Sequence, residues 1–316
     1  MYCIGLDIGG TKCAVTLGKI EGESITIVKK EQFATAGNTY MQVLEKFCDV
    51  IDKVAEGVAF ESIGISCGGP LDSKTGVILC PPNLPDWKNV AVCEYFRNKY
   101  NVPVKLQNDA NACALAEWKF GAGKGSENME FITFGTGFGA GLILNGKIYC
   151  GANDNAGEVG HVRLTKTGPL GYYKHGSAEG YCSGGGIRQL ALIEIEKQLK
   201  KGKTPFILQK LGNTDAINAK VIAEYAREGD EFCKGIYNKS GKYLGKILSI
   251  IIDIINPEKI IIGGVFMRSN DLLLPTAMKE IEKEALSYSA SVVEILPAGL
   301  GESIGDYAAL AVAVNN

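Results

Sequence analysis

Histidine is scarce in this chain of 316 residues, with only His161 and His175, and its ten cysteines include no C-x-x-C pair. A zinc site needs grouped Cys and His ligands, which so scattered a set does not offer. With no secretory leader at the N-terminus, the cysteines are expected to be reduced and buried as small hydrophobes. No excess of positive charge exists either. Lys and Arg number 33 against 35 Asp and Glu, a net charge of −2, so the electrostatic footprint of a nucleic-acid partner is missing. Long apolar runs are also absent: Ile247 to Ile255 falls short of the roughly 20 residues of a membrane span and contains Asp253. A cytoplasmic protein with neither membrane nor nucleic-acid partners is expected. No glycine loop fits the Walker lysine pattern or the dinucleotide fingerprint either, because each leads back into a strand pattern and not into a helix.

Glycine, in contrast, is concentrated where it carries chemistry. Ile4-Gly5-Leu6-Asp7-Ile8-Gly9-Gly10-Thr11-Lys12 reads as an apolar strand that ends in a carboxylate and breaks into glycines before turning back. Without a Cβ at Gly9 and Gly10, backbone N–H groups can approach phosphoryl oxygens and form a concave anion site. Thr11 and Lys12 add a hydroxyl and a positive charge, and Asp7 stands where it could hold Mg²⁺ through water. Taken alone, this segment is equally a plain hairpin with an incidental lysine. A second copy favours the phosphate reading: Phe131 to Phe134, then Gly135-Thr136-Gly137-Phe138-Gly139-Ala140-Gly141, then Leu142 to Leu144, again a strand, a glycine turn and a strand.

The length corresponds to about two average domains, and an apolar fraction of 46% is ample for their cores. Strand patterns at 2–8, 13–18 and 24–33 precede a helical period over 38–56 with Val43, Phe47, Val50, Ile51 and Val54 on one face. Further strands are expected at 63–67, 104–107 and 259–262. Helices are expected at 90–100, from Asn108 through Phe120, across 230–255, and at 303–314. Such alternation indicates α/β architecture. Residues 151–187, polar and glycine-rich, are too long for an idle connection.

Several polar residues carry two readings. Asp109 follows a strand and opens a helix, so it is either an N-cap or, flanked by Asn108 and Asn111 at a strand's carboxyl end, a base for a substrate hydroxyl. Glu158, in Ala156-Gly157-Glu158-Val159-Gly160-His161, is either a solvated loop carboxylate or a fixed acceptor, and His161 alone reads as structural. Gly263-Gly264 is either an ordinary strand turn or a place where a flat base approaches the backbone.

Taken together, the motifs resemble those of the repressor–ORF–kinase (ROK) family of sugar kinases, within the actin-like ATPase superfamily. The matching segments, in the family's order, are Asp7 to Lys12, Gly68-Gly69-Pro70-Leu71-Asp72, Pro82-Asn83-Leu84-Pro85-Asp86-Trp87, Asn108-Asp109-Ala110-Asn111, Gly135 to Gly141, Ala156 to His161 and Ile262-Gly263-Gly264. The resemblance covers essentially the full length. It implies a two-domain actin-like ATPase (ribonuclease H-like) α/β fold with an interdomain cleft. Residues 1–107 plus the C-terminal helix 302–316 would form the smaller domain and 108–301 the larger. By the same resemblance, Asp7, Gly9, Gly10, Thr11 and Lys12, with Gly135, Thr136, Gly137 and Gly139, would hold ATP phosphates and Mg²⁺, and Gly263 and Gly264 would lie near the adenosine. Asn108, Glu158, His161 and Glu179 would hydrogen-bond the sugar, with Gly69 close by and Asp109 as the base. The implied activity is transfer of the γ-phosphoryl group of MgATP to a hexose, at O6 of glucose or a related sugar. Alternatives are an N-acetylated hexosamine or another hexose as substrate, a catalytically weak sugar sensor, or an assembling ATPase. A homodimer or higher homo-oligomer is expected, and a start at the phosphate strand fits the kinase branch.

One departure stands out. Where many family members place three cysteines that bind zinc with the histidine at 161, this chain has Leu170, Tyr172 and Ser177, while the sugar-binding glutamate survives as Glu179. No zinc is expected. Packing by Tyr172, Tyr173 and Tyr181 would hold the loop instead.

Overall fold

Strands apolar on both faces organise the first part of the chain. The computed structural model describes residues 1–315. β1 (Tyr2–Ile8), β2 (Lys12–Glu21) and β3 (Ser24–Ala34) form an antiparallel meander, followed by β4 (Ile63–Cys67), a small hairpin of β5 (Leu71–Asp72) and β6 (Val77–Ile78), and β7 (Val104–Asn108). The sheet order is β3-β2-β1-β4-β7, with β4 parallel to both β1 and β7. This register places Ile8, Cys67 and Asn108 side by side, so Asp7 and the start of the helix Asp109–Phe120 share one edge of the sheet.

On one face, Ile4, Leu6 and Ile8 pack with Phe47, Ile51 and Phe96. The expected helical stripe is present in the helix Tyr40–Val54, which a reciprocal capping box closes: Thr39 Oγ1 accepts from Gln42 N at 3.4 Å and Gln42 Oε1 accepts from Thr39 N at 2.9 Å. The other face is covered by the C-terminal helix Ile304–Ala313. A Cβ added at Gly5 would come within 3.0 Å of Ala309 Cβ and Leu310 N, and one at Gly64 would overlap the backbone at Ala309 and Ala313. The helix can therefore lie this close only because both strands lack side chains there.

The second sheet repeats the pattern. β8 (Met129–Phe134), β9 (Phe138–Leu144) and β10 (Lys147–Tyr149) are joined, after the hairpin of β11 (Leu170–Gly171) and β12 (Lys174–His175), by β13 (Lys259–Ile262) and β14 (Glu294–Pro297), in the order β10-β9-β8-β13-β14. The second glycine loop thus turns back into a strand as expected. Residues 230–255 contain one helix, Glu231–Ile255, capped by Asp230 Oδ1 on Cys233 N at 3.0 Å and ended by Asn256 in the left-handed region. Its buried face joins Leu190, Ile195, Phe266 and Leu273 in a core.

Packing groups residues 1–131, 141–156 and the chain from Ala298 onward into one compact unit, and 132–140 with 157–297 into a second. The helix Asp109–Phe120 lies in the first because it packs along the C-terminal helix. Its Glu117, fully buried, accepts three backbone N–H bonds: from Ala122 at 2.8 Å and Gly299 at 3.1 Å on Oε2, and from Leu300 at 2.9 Å on Oε1. The cysteines are free thiols, seven of them buried. Among the described residues, no helix is long and apolar enough to cross a membrane.

Glu130, in β8, is fully buried, and neither of its carboxylate oxygens has a hydrogen-bond partner. Desolvation pushes its carboxyl from 4.5 to about 8. The folded chain therefore keeps a proton that the unfolded chain releases near 4.5, and stability falls as pH rises from there to about 8. Glu130→Gln removes the titration. Urea unfolding across that window should show the variant gaining on the parent by up to about 1.4 kcal/mol per pH unit. A difference independent of pH would show that Glu130 ionises normally in the folded chain.

Candidate functional site

In the first unit, Asp7 is the penultimate residue of β1, and after Ile8 the chain turns through Gly9 and Gly10 into β2. The turn is packed from two sides. A Cβ on Gly10 would come within 2.5 Å of the Asn83 carbonyl, and one on Gly9 within 2.6 Å of the Lys12 carbonyl. Thr35 donates from Oγ1 to the Gly9 carbonyl at 2.6 Å and from its N–H to the Thr11 carbonyl at 3.0 Å. The loop is thereby fixed from behind, and Thr11 and Lys12 stay exposed. Asn83 belongs to the Pro82 to Trp87 segment, which is anchored by buried Leu84 and Trp87.

The helix that carries Asp109 begins at the same sheet edge. Asn108, not Asp109, is its N-cap: Asn108 Oδ1 accepts from Ala110 N at 3.0 Å, leaving Asp109 as the first helical residue, with Oδ1 at 2.8 Å from the same N–H. Gly69 lies against this cap, since a Cβ there would be 3.5 Å from Asn108 Nδ2. Asn111 donates to Gln107 Oε1 at 3.2 Å, while its own Oδ1 is buried without a partner. Asp109 is solvent-accessible, yet enough protein surrounds it that desolvation lifts its carboxyl above the usual range, against hydrogen bonds from Ala110, its own N–H and Asn108. Asp7 is raised to about 6, mainly by burial, then by the charges of Asp109 and Asp306, with Lys30 and Lys12 opposing. Asp306, in the first turn of the C-terminal helix, is paired with Lys30 Nζ at 2.5 Å. No sequence motif pointed to Asp306 or Lys30; only the fold brings them to this edge.

The second unit gathers the other predicted residues. The loop Gly135 to Gly137 is closed by Gly135 N–H to the Gly137 carbonyl at 3.0 Å, and Thr133 Oγ1 accepts from Gly139 N at 3.0 Å. Gly263 donates to the Ile132 carbonyl at 2.9 Å, and a Cβ on Gly264, whose φ is 66°, would overlap the Phe134 carbonyl. The glycine pair thus lies directly beside the loop. So does the N-terminus of the helix Gly184–Leu199, where Gly184 donates to the Gly135 carbonyl at 2.9 Å and Ser183 caps Gly186 N at 2.9 Å. This second set of backbone donors escaped the sequence reading, although Ser183 before Gly184-Gly185-Gly186 and an apolar run is a legible helix start.

Gly157 and Gly160 explain how Glu158 and His161 are displayed. Side chains at either would overlap the carbonyls of Ala140 and Phe138, and Gly157 accepts from Ala140 N at 2.9 Å, so the segment lies flat on β9 with Glu158 and His161 exposed. Glu179, in a short helix capped by Ser177, accepts from Phe138 N on Oε2 at 3.2 Å. At the positions of the family's zinc cysteines, Leu170 is held by a two-point clamp from Gln189 at 2.8 and 2.9 Å, Tyr172 sets its ring edge-on to His161 at 5.9 Å, and Ser177 is buried. Tyr181 stacks on Tyr243 at 3.6 Å and hydrogen-bonds Thr165 at 2.9 Å. Among the described residues no group of three or more His, Cys, Asp or Glu could hold a metal ion.

A family model described as the ROK family matches residues 3–315. The chain is 29% identical over 303 residues to a glucokinase of Thermotoga maritima, covering 96% of this chain and 94% of the relative. The structure aligns with a ROK family glucokinase from Streptomyces griseus, crystallised with glucose and AMPPNP, at a TM-score of 0.76 and 29% identity over 99% of each chain. It aligns also with a ROK family transcriptional regulator, a homolog of the E. coli MLC protein, at a TM-score of 0.85 and 24% identity over 98% of this chain and 77% of that one, a likeness of fold alone. The two mixed sheets and their flanking helices are thus an α/β fold of the two-domain actin-like ATPase type. The chain belongs to the ROK family, which holds both sugar kinases and regulators.

Three thiolates are what a structural zinc on this loop would require, and Leu170, Tyr172 and Ser177 cannot supply them. Elemental analysis of the purified protein should find no stoichiometric zinc. One zinc per chain, lost together with activity on chelation, would overturn the placement of these three residues.

Proposed function

We propose that this chain is an ATP-dependent sugar kinase that transfers the γ-phosphoryl group of MgATP to a hexose hydroxyl, at O6 of glucose or a related hexose. The carrying observation is Asp109, a raised but solvent-accessible carboxylate at the first turn of a helix, sharing a sheet edge with the Asp7 to Lys12 turn. A regulator that only senses sugar has no need of such a base. The similar glucokinase crystallised with an ATP analogue supports the nucleotide.

The residues fit that role. Gly9 and Gly10 let the turn pack against the Lys12 and Asn83 carbonyls, where a Cβ would clash, and Thr11 and Lys12 are exposed beside it, which suits phosphate oxygens. Mg²⁺ held at Asp7 through water would supply charge neutralisation at the phosphates. The second loop, Gly135, Thr136, Gly137 and Gly139, with Gly263 and Gly264 beside it, offers a further phosphate and adenosine surface. Asn108, Glu158, His161 and Glu179, with Gly69, would bind the sugar hydroxyls. Asp109 accepts the hydroxyl proton as the sugar oxygen forms its bond to the γ-phosphorus and the bond to the leaving ADP oxygen breaks. Positioning and electrostatics carry most of such a transfer.

A coupled ADP-release assay against hexoses and N-acetylated hexosamines tests this reading, and release that no sugar stimulates would overturn it. Asp109→Asn should lower kcat by at least about 10² with sugar affinity within a few fold, because the amide cannot take a proton while the Asn108 cap remains. In the parent, the acid limb of kcat should lie above the ordinary carboxylate range, since Asp109 must be ionised to act. Near-parental turnover in Asp109→Asn would remove it from the mechanism.

His161→Ala should raise the sugar KM by the equivalent of roughly 1–3 kcal/mol while the ATP KM stays close to the parental value. Unchanged kinetics with a lowered Tm would assign this histidine a purely structural role.

A further inference from the structure

The turn joining β11 to β12 has only two residues, Tyr172 and Tyr173, since Gly171 pairs with Lys174 and Leu170 with His175. Both have positive φ, 39° and 63°. A two-residue hairpin of this kind strongly favours Asn-Gly, and bulky side chains are genuine outliers there. Neither ring recovers that cost by burial, for Tyr172 is 60% exposed and Tyr173 90%. Residues held in disfavoured backbone regions point to a function for their side chains.

The surroundings say which function. Tyr172 lies edge-on to His161 at 5.9 Å, and Tyr173 packs against Tyr172 at 5.3 Å, so the three rings form one row that starts at the histidine. The hairpin is fixed beneath them: Lys174 Nζ donates to the His161 carbonyl at 2.7 Å, Arg163 to the His175 carbonyl at 2.9 Å, and Gln189 clamps Leu170. An aromatic surface on a rigid base suits a ligand with both hydroxyl groups and an apolar C–H face. A pyranose is such a ligand, and tyrosine offers it wide, rigid contact at little entropic cost.

We propose that the Tyr172-Tyr173 turn is a sugar-specificity element of this chain: Tyr172 positions the His161 ring, and the exposed aromatic faces receive the apolar face of the pyranose. This rests on the sugar-kinase reading of the Glu158, His161 and Glu179 cluster. It also gives the loop a role that a zinc-bound loop of the family would not share.

The test exchanges the turn for the one its geometry prefers. In the full chain, Tyr172→Asn with Tyr173→Gly should leave Tm equal or higher, weaken binding of the best hexose at least about tenfold by calorimetry without nucleotide, and leave the ATP KM within about twofold. Tyr172→Phe with Tyr173→Phe, which keeps the rings, should bind the hexose as the parent does. Parental affinity in the Asn-Gly variant would overturn the proposal, as would equal losses in both variants, which would point to the phenol hydroxyls. If the Asn-Gly variant does not fold, Tyr173→Gly alone decides by the same affinity criterion. A parent that binds and phosphorylates no hexose would overturn the kinase reading itself, an outcome distinct from a kinase indifferent to its turn.

Discussion

The close contact between the C-terminal helix and the first sheet governs much of what happens at the sheet edge. Gly5 and Gly64 on neighbouring strands allow Ala309 and Ala313 to approach the backbone, and Gly18 on β2 accommodates Leu310. Because the helix runs opposite to β1, with Leu310 and Ala313 over Cys3 and Ala309 over Gly5, its first turn reaches the Asp7 end. Asp306 and its partner Lys30 thereby enter the electrostatic surroundings of Asp7. A methyl group at Gly64 would do more than open a gap. It would push away the element that sets the charge balance beside the glycine turn.

Glycines elsewhere separate into two kinds, which a motif alone does not distinguish. Gly157 and Gly160 are required by the carbonyls they cover, and they work as spacers that let Glu158 and His161 stand clear of β9. Gly135 and Gly185 meet nothing where a Cβ would stand. Their backbone is open, as an anion-binding loop demands. Gly10 belongs with the first kind, tight against Asn83.

Most of the architecture was legible because the patterns were long and periodic. The stripe of Val43, Phe47, Ile51 and Val54 gave a helix, and the two strand–glycine–strand segments gave two hairpins. Asp109 as a cap was misplaced by one residue: Asn108 serves equally well in sequence, and only the extended backbone at 108 decides between them. Lys30 and Asp306 were invisible because their meeting depends on how the C-terminal helix lies across the first sheet. Residues 151–187 were correctly read as more than a connection. The tyrosine hairpin within them was not legible, since Tyr-Tyr carries no turn signal.

Glu117 holds its neighbours in a manner that does not depend on what those neighbours are. All three of its partners are main-chain N–H groups, at 122, 299 and 300, and every residue type but proline provides one. The far end of the Asp109 helix is therefore fastened to the segment leading into the C-terminal helix by an anchor blind to side-chain identity. Drift at Ala122 or Leu300 leaves it intact, whereas Gly299 is confined by the 2.8 Å that a Cβ would leave to Ala122 N. Divergence in this loop can be wide in its letters and narrow in its geometry, with the Glu117 carboxylate and Gly299 as the positions where change is felt.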